Sequence, residues 1–159
     1  RWLQKVAVRY ELSVAEPVDY AHLLKDLLHR VDVIPPSLAL IQAAKESAWG
    51  TSRFAVSGYN FFGQQCFASG CGHIPNRREA GRHHEVAQFA SPQAAVVAYL
   101  HNLNTHPRYA ELRDIRARER AAKGELYGAT LADGLLAYSE RGEAYVSEVK
   151  SMIRANNLE

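Results

Sequence analysis

The sequence predicts a mainly α-helical domain carrying a small β-hairpin insert. Three observations support that prediction. Apolar residues recur at three- and four-residue spacing through both ends of the chain, the period of an amphipathic helix. Prolines and small polar residues stand where such stretches begin. Residues 51–90 are instead broken by glycines at 58, 63, 70, 72 and 81 and by Pro75, which no long helix tolerates. With 159 residues, 47 % apolar and 23 % charged, the chain suits one globular domain with a single sizeable core. No apolar run approaches the ~20 residues that span a bilayer, and no signal-peptide pattern opens the chain at Arg1, so an upstream signal or anchor is left open. A net charge of +2 is too mild to argue for nucleic acid.

Taken in order, Trp2, Leu3, Val6 and Tyr10 are spaced for a helix within residues 1–12. Beyond Pro17, Tyr20, Leu23, Leu24, Leu27, Leu28 and Val31 form the stripe of a second helix. Pro35-Pro36-Ser37 ends that element and opens another, because proline is accepted in a first helical turn but not inside. Residues 37–49, rich in Leu and Ala, read as a central buried helix closed by Gly50. The run Glu85-Val86-Ala87-Gln88-Phe89 reads as a strand, one half of a hairpin. Ser91-Pro92 are an N-cap and a first helical residue for a helix carrying Ala95, Val96, Tyr99, Leu100 and Leu103. Further helices are predicted near 107–122, 130–138 and 143–156, the last with Tyr145, Val149, Met152 and Ile153 on one side. Arg113, Arg116, Arg118 and Arg120, interleaved with Asp114 and Glu119, read as a solvated helix face. Cys66 and Cys71 are spaced for a short loop-closing disulfide in an oxidising compartment. A zinc site completed by His73 with His83 or His84 matches no defensible ligand spacing.

The chemistry points to Glu46, in the last turn of the apolar helix. At ~100° per residue, Leu38, Ala39, Gln42, Ala43 and Trp49 share its side. Such surroundings strip water from a carboxylate and favour its protonated form, and the negative end of the helix dipole acts in the same direction. A protonated Glu is what glycoside cleavage needs in order to donate to a leaving oxygen.

E-S-A-W-G-T-S at 46–52, followed by Y-N-F-F-G-Q at 59–64, resembles the E-S-x-W-G-x-S…N-x-F-G signature of glycoside hydrolase family 73, the mannosyl-glycoprotein endo-β-N-acetylglucosaminidase-like domains. Y-L-H-N-L-N-T-H-P-R-Y at 99–109 and Y-S-E-R-G-E-A-Y-V at 138–146 resemble its Bax-like branch, and the likeness runs from about Val33 onward. The resemblance implies a lysozyme-like fold and cleavage of the β-1,4 bond between N-acetylglucosamine and N-acetylmuramic acid in peptidoglycan. It implies no metal or organic cofactor, glycan strands as partner, no nucleic acid, and a periplasmic or cell-envelope location. It makes 1–159 one glucosaminidase domain: N-terminal helices (1–32), catalytic helix and groove loop (33–64), irregular or β insert (65–90) and C-terminal helices (91–159).

By position, Glu46 matches the family's catalytic acid. Trp49, Ser52, Asn60, Phe62 and Gly63 fall in the stretch that shapes the glycan groove, and Tyr109 matches an aromatic position facing the sugar. Tyr138 is expected beside the acid, and Glu85 as the second carboxylate, with Glu79 among Arg77, Arg78 and Arg82 a poorer choice. Lys45 and Ala48 depart from the pattern, which carries a small or apolar residue and a Gly there. Two other readings share these residues. One is a lytic transglycosylase, in which a single Glu suffices; the other is a non-catalytic peptidoglycan-binding module.

Overall fold

The computed structural model describes residues 1–75 and 83–159. Among them are eight α-helices: α1 (Trp2–Arg9), α2 (Tyr20–Arg30), α3 (Pro36–Glu46), α4 (Arg53–Gly58), α5 (Pro92–Thr105), α6 (Ala110–Lys123), α7 (Gly128–Leu131) and α8 (Glu143–Ala155). Three short strands, β1 (Gln65–Cys66), β2 (Gly72–His73) and β3 (Glu85–Ala87), form one antiparallel sheet in the order β1-β3-β2. The fold is therefore mainly α-helical with one small sheet, the class expected of a lysozyme-like domain. Two compact units are built from the chain, one from Arg1–Leu38 and Leu100–Glu159, the other from Ala39–Tyr99.

In the first unit, Asp19 caps α2 by accepting from the backbone N–H groups of Ala21 and His22. Only Leu23 and Leu27 of the expected α2 stripe are buried; with Ala7 they form a small cluster supported by Leu3, Val6, Leu12, Val14 and Val18. Tyr20, Leu24, Leu28 and Val31 remain exposed, so the stripe is narrower than its sequence period implies. A larger core gathers Leu112 and Ile115 of α6, Leu131, Leu135, and Tyr145, Val146, Val149 and Ile153 of α8. The helix expected over 130–138 is α7 followed by a 3-10 turn, Ala132–Leu135.

The Arg-rich stretch corrects the expectation of a solvated face. Arg113 and Arg116 are buried, while Arg118 and Arg120 are exposed. Arg116 donates to the carbonyls of His29, Arg30, Asp32 and Val33 and to Asn104 Oδ1. Arg113 donates to the carbonyls of Leu103 and His106. The last carbonyls of a helix have no partner within it, and a cation there also meets the negative end of the dipole. Two arginines three residues apart on α6 therefore finish the C-terminal ends of α2 and α5. Burial, aided by the charges of Arg113 and Arg120 and opposed by Asp32, pulls the Arg116 guanidinium down to about 10, still protonated at neutral pH.

Two elements of the second unit also differ from expectation. α3 stops at Glu46 rather than running to Trp49, and it keeps one face open, with Leu40 exposed. The expected hairpin is a three-stranded sheet with β3 in the middle. The glycine-broken stretch also holds a short helix, α4, which its small residues conceal. None of the described helices is long and apolar enough to cross a membrane.

Candidate active site

Glu46 is the last residue of α3, and the residues after it fold the chain away sharply. Ser47, buried, donates through Oγ to the Ala43 carbonyl (2.6 Å) and accepts there from the Gly50 N–H (2.7 Å). Trp49 N–H reaches back to the Ala44 carbonyl at 2.7 Å, and Ser52 N–H reaches the Ser47 carbonyl at 2.9 Å. Ala48, Trp49 and Gly50 all take left-handed conformations, with φ of 50°, 58° and 77°. Two consecutive non-glycine residues in that region are uncommon and form a strained turn of the kind that collects at functional sites. The turn leaves the Trp49 side chain 69 % exposed, three residues after the half-buried Glu46. Ser52 then caps α4, accepting from Ala55 N–H at 3.2 Å.

The second half of the motif builds the loop that meets the carboxylate. Asn60 is buried; its Nδ2 donates to the carbonyls of Gln64 and Ala87, both at 2.8 Å, and its Oδ1 accepts from Gln64 N–H at 3.0 Å. One side chain thus closes the loop on itself and ties it to β3. Phe62 is buried and stacks on Tyr99, ring centroids 4.0 Å apart, and the Tyr99 hydroxyl donates to Gln42 Oε1 at 2.7 Å. Gln42 lies one turn before Glu46 on α3, so the loop and the helix carrying the carboxylate share one buried support. Gly63 completes the arrangement. It is exposed, has φ 64°, and a Cβ built on it would lie 3.2 Å from Glu46 Oε2. The Glu46 carboxylate therefore lies against a bare, left-handed, solvent-facing Cα, where any side chain would crowd it.

The other expected site residues are placed as follows. Glu85 is buried on β3, and its two carboxylate oxygens accept from Gly70 N–H (3.0 Å) and Gly72 N–H (2.8 Å). Cys66 and Cys71 are joined in a disulfide, which consumes both thiols that a zinc reading would need. Glu79, Arg77, Arg78 and Arg82 lie outside the described residues. Tyr109 and Tyr138 belong to the other unit. Tyr109 is buried at the end of the 3-10 turn Pro107–Tyr109, and its ring is 5.9 Å from that of the half-buried Tyr138, which stacks on Tyr145 at 5.6 Å. Sequence reasoning missed the Gln42–Tyr99–Phe62 support and the Glu85 contacts with Gly70 and Gly72. A Gln one turn before Glu46 inside an otherwise apolar helix was the available signal for the first.

Residues 21–158 match the family described as mannosyl-glycoprotein endo-beta-N-acetylglucosaminidase. The chain belongs to this family. The match takes in Glu46, the Asn60–Gly63 loop, Glu85 and both tyrosines. Protein bax of Escherichia coli (strain K12) is 38 % identical over 130 residues, 82 % of this chain and 46 % of that protein, so the chain spans about half the length of this curated relative. No solved structure matches it. Family membership gives a glucosaminidase-type domain.

Proposed function

We propose that this domain hydrolyses the β-1,4 bond between N-acetylglucosamine and N-acetylmuramic acid in peptidoglycan, with Glu46 as general acid. The observation that carries the proposal is the Glu46 carboxylate set against the exposed, side-chain-free Gly63, at the head of the turn that carries the exposed Trp49. A glycosidic oxygen can approach a carboxyl group held at such an open edge, and a sugar face can rest on an exposed indole.

In this reading Glu46 donates its proton to the leaving oxygen as the bond to the anomeric carbon breaks. Each oxygen of Glu85 already accepts a backbone N–H, which favours the substrate's own acetamido oxygen, rather than a Glu85-activated water, as the group that meets the anomeric carbon. Water then opens the cyclic intermediate and gives its proton to the Glu46 carboxylate, restoring the acid. Two displacements retain the anomeric configuration, whereas a single displacement by water would invert it. The Cys66–Cys71 disulfide suits the oxidising, periplasmic or cell-envelope location where such a substrate is met.

Glu46→Gln tests the proposal. It should reduce release of soluble fragments from purified peptidoglycan by at least about a thousandfold, the scale on which an essential proton donor acts, with an unchanged circular-dichroism spectrum. Near-normal turnover would remove Glu46 from the mechanism. Mass spectrometry of the digest separates the rival chemistries: reducing-end N-acetylglucosamine supports hydrolysis, and anhydromuramic ends support a lytic transglycosylase. Retention on cell walls with no fragment from the unsubstituted protein would support a binding module.

A further inference from the structure

The Cys66–Cys71 loop carries one large apolar side chain in water, and several independent contacts hold the backbone that bears it. Phe67 is 77 % exposed. An aromatic ring ordinarily gains by burying its area, and a partner that covers this one would supply that gain. Here the disulfide closes the loop. Within it Cys71 N–H donates to the Ala68 carbonyl at 3.2 Å, and Gln88 N–H holds the Cys71 carbonyl at 3.3 Å. Gly72 crosses β3 so closely that a Cβ would stand 1.9 Å from the Val86 carbonyl oxygen. Glu85 reaches in from β3, with a carboxylate oxygen within 4.8 Å of both sulfurs, and takes the N–H groups of Gly70 and Gly72. The disulfide and these contacts hold the backbone of the loop and its exit at Gly72, and so the point from which the Phe67 ring is displayed.

The loop is also anchored near the acid. Phe67 follows Gly63 by four residues, which limits their Cα separation to about 14 Å at ~3.5 Å per residue. Gly63 leaves the space in which a Cβ would crowd Glu46, and Asn60 joins that turn to β3. An aromatic ring on a loop held in this way, within one oligosaccharide's length of the carboxyl, can stack on the C–H face of a sugar with little backbone entropy lost on binding.

We propose that Phe67 is an aromatic platform for the glycan strand and that Glu85 is a positioning residue, which acts by locking the disulfide loop rather than by activating water. This rests on the glycan reading of the preceding subsection. The test measures binding of chitohexaose by calorimetry in the Glu46→Gln protein, which cannot cleave it. Phe67→Ala should weaken binding about five- to tenfold, the loss expected for one stacked aromatic face, and Phe67→Tyr should restore it. Glu85→Gln replaces one acceptor oxygen with a donor. It should speed hydrogen exchange at Gly70 and Gly72 and weaken binding severalfold, and it should add nothing further to Phe67→Ala, because both act through one ring. In the active protein, Glu85→Gln should raise KM and leave both limbs of the pH–rate profile in place. Loss of one limb with a collapse in kcat would make Glu85 the base and overturn its positioning role. Binding indifferent to Phe67→Ala would overturn the platform. Phe67-dependent binding without any turnover by the unsubstituted protein would sink the hydrolase reading and leave the platform standing; turnover with Phe67-independent binding would do the reverse.

Discussion

Among the described residues, the two units bury charge of opposite sign, Arg113 and Arg116 in one and Glu85 in the other. In Arg1–Leu38 with Leu100–Glu159, the buried charges are the cations Arg113 and Arg116, and what they satisfy is backbone carbonyls at the ends of α2 and α5. In Ala39–Tyr99, the buried groups Ser47, Asn60 and Glu85 accept backbone N–H groups from turns, at Gly50, Gln64, Gly70 and Gly72, and Ser47 and Asn60 donate to carbonyls as well. Helix ends present carbonyls, so a helical scaffold recruits donors. Tight turns present N–H groups, so a loop-built site recruits acceptors. The first arrangement closes a scaffold; the second leaves Glu46, Gly63, Trp49 and Phe67 held at an open surface. Substitutions in the first unit should therefore register as stability, and those in the second as activity.

The strongest challenge to that division is Arg116→Met, which keeps the bulk and removes the donors from five acceptors. It should cost about 3–5 kcal/mol, the range for breaking a buried, hydrogen-bonded charge, seen as a lower denaturation midpoint in urea. The fraction that stays folded should retain its specific activity on peptidoglycan. A drop in activity with no loss of stability would erase the distinction between the units. Gly63→Ala probes the other side. The added methyl forces a left-handed Ala and stands 3.2 Å from Glu46 Oε2, so the carboxylate must shift. The shift needed is a few tenths of an ångström. Activity should therefore fall about three- to tenfold, short of the roughly hundredfold that a ~1 Å misplacement of a reacting group can cost, at a stability cost of about 1 kcal/mol.

These two positions also show what the sequence made legible. The motif around Glu46 and the loop ending at Gly63 were readable because their composition is unusual: a Glu ending an apolar helix, then a Gly after two aromatics. Helix locations were readable from their period and their caps, Ser91 before Pro92 among them. What period alone cannot give is which charged residues go inside. Arg113 and Arg116 look no different in composition from Arg118 and Arg120. The distinction is that they flank Leu112 and Ile115 on the buried side of α6, where helix ends await donors. Glu85 was visible as a carboxylate on a strand, but its contacts depend on where a disulfide loop brings Gly70 and Gly72, a tertiary fact with no local signal.

A gentler probe of the scaffold uses pH. Asp32 grips Arg120 through two hydrogen bonds, 2.9 and 2.8 Å, and faces Arg116. Burial works to raise the Asp32 pKa, but hydrogen bonds from Arg120 and Val33 N–H, with the charges of Arg116 and Arg120, together hold it below its ordinary 3.8. A carboxyl depressed by folding adds stability above its unfolded pKa and loses it as pH falls through its lower folded value. Asp32→Asn should thus cost about 1–2 kcal/mol at pH 7, and the gap from the parent protein should close progressively below about pH 3.8. A gap that stays constant down to pH 2 would show that the carboxylate's charge is not what stabilises.

The smallest effect tests the strained turn itself. Ala48 occupies a left-handed conformation, φ 50°, where the related motif carries Gly. An L-residue there suffers a clash of about 1–2 kcal/mol between its Cβ and the neighbouring carbonyl, while Gly would lose ~0.5–1 kcal/mol more backbone entropy on folding. The balance predicts that Ala48→Gly stabilises by roughly 0.5–1 kcal/mol, a rise of one to a few degrees in Tm by calorimetry. The same change loosens the turn that follows Glu46 and carries Trp49. Activity that falls while Tm rises would mean the alanine's strain helps to place the indole. Activity that holds would mean the Ser47 braces to Ala43 and Gly50 fix the turn on their own, and that Ala48 is tolerated there rather than used.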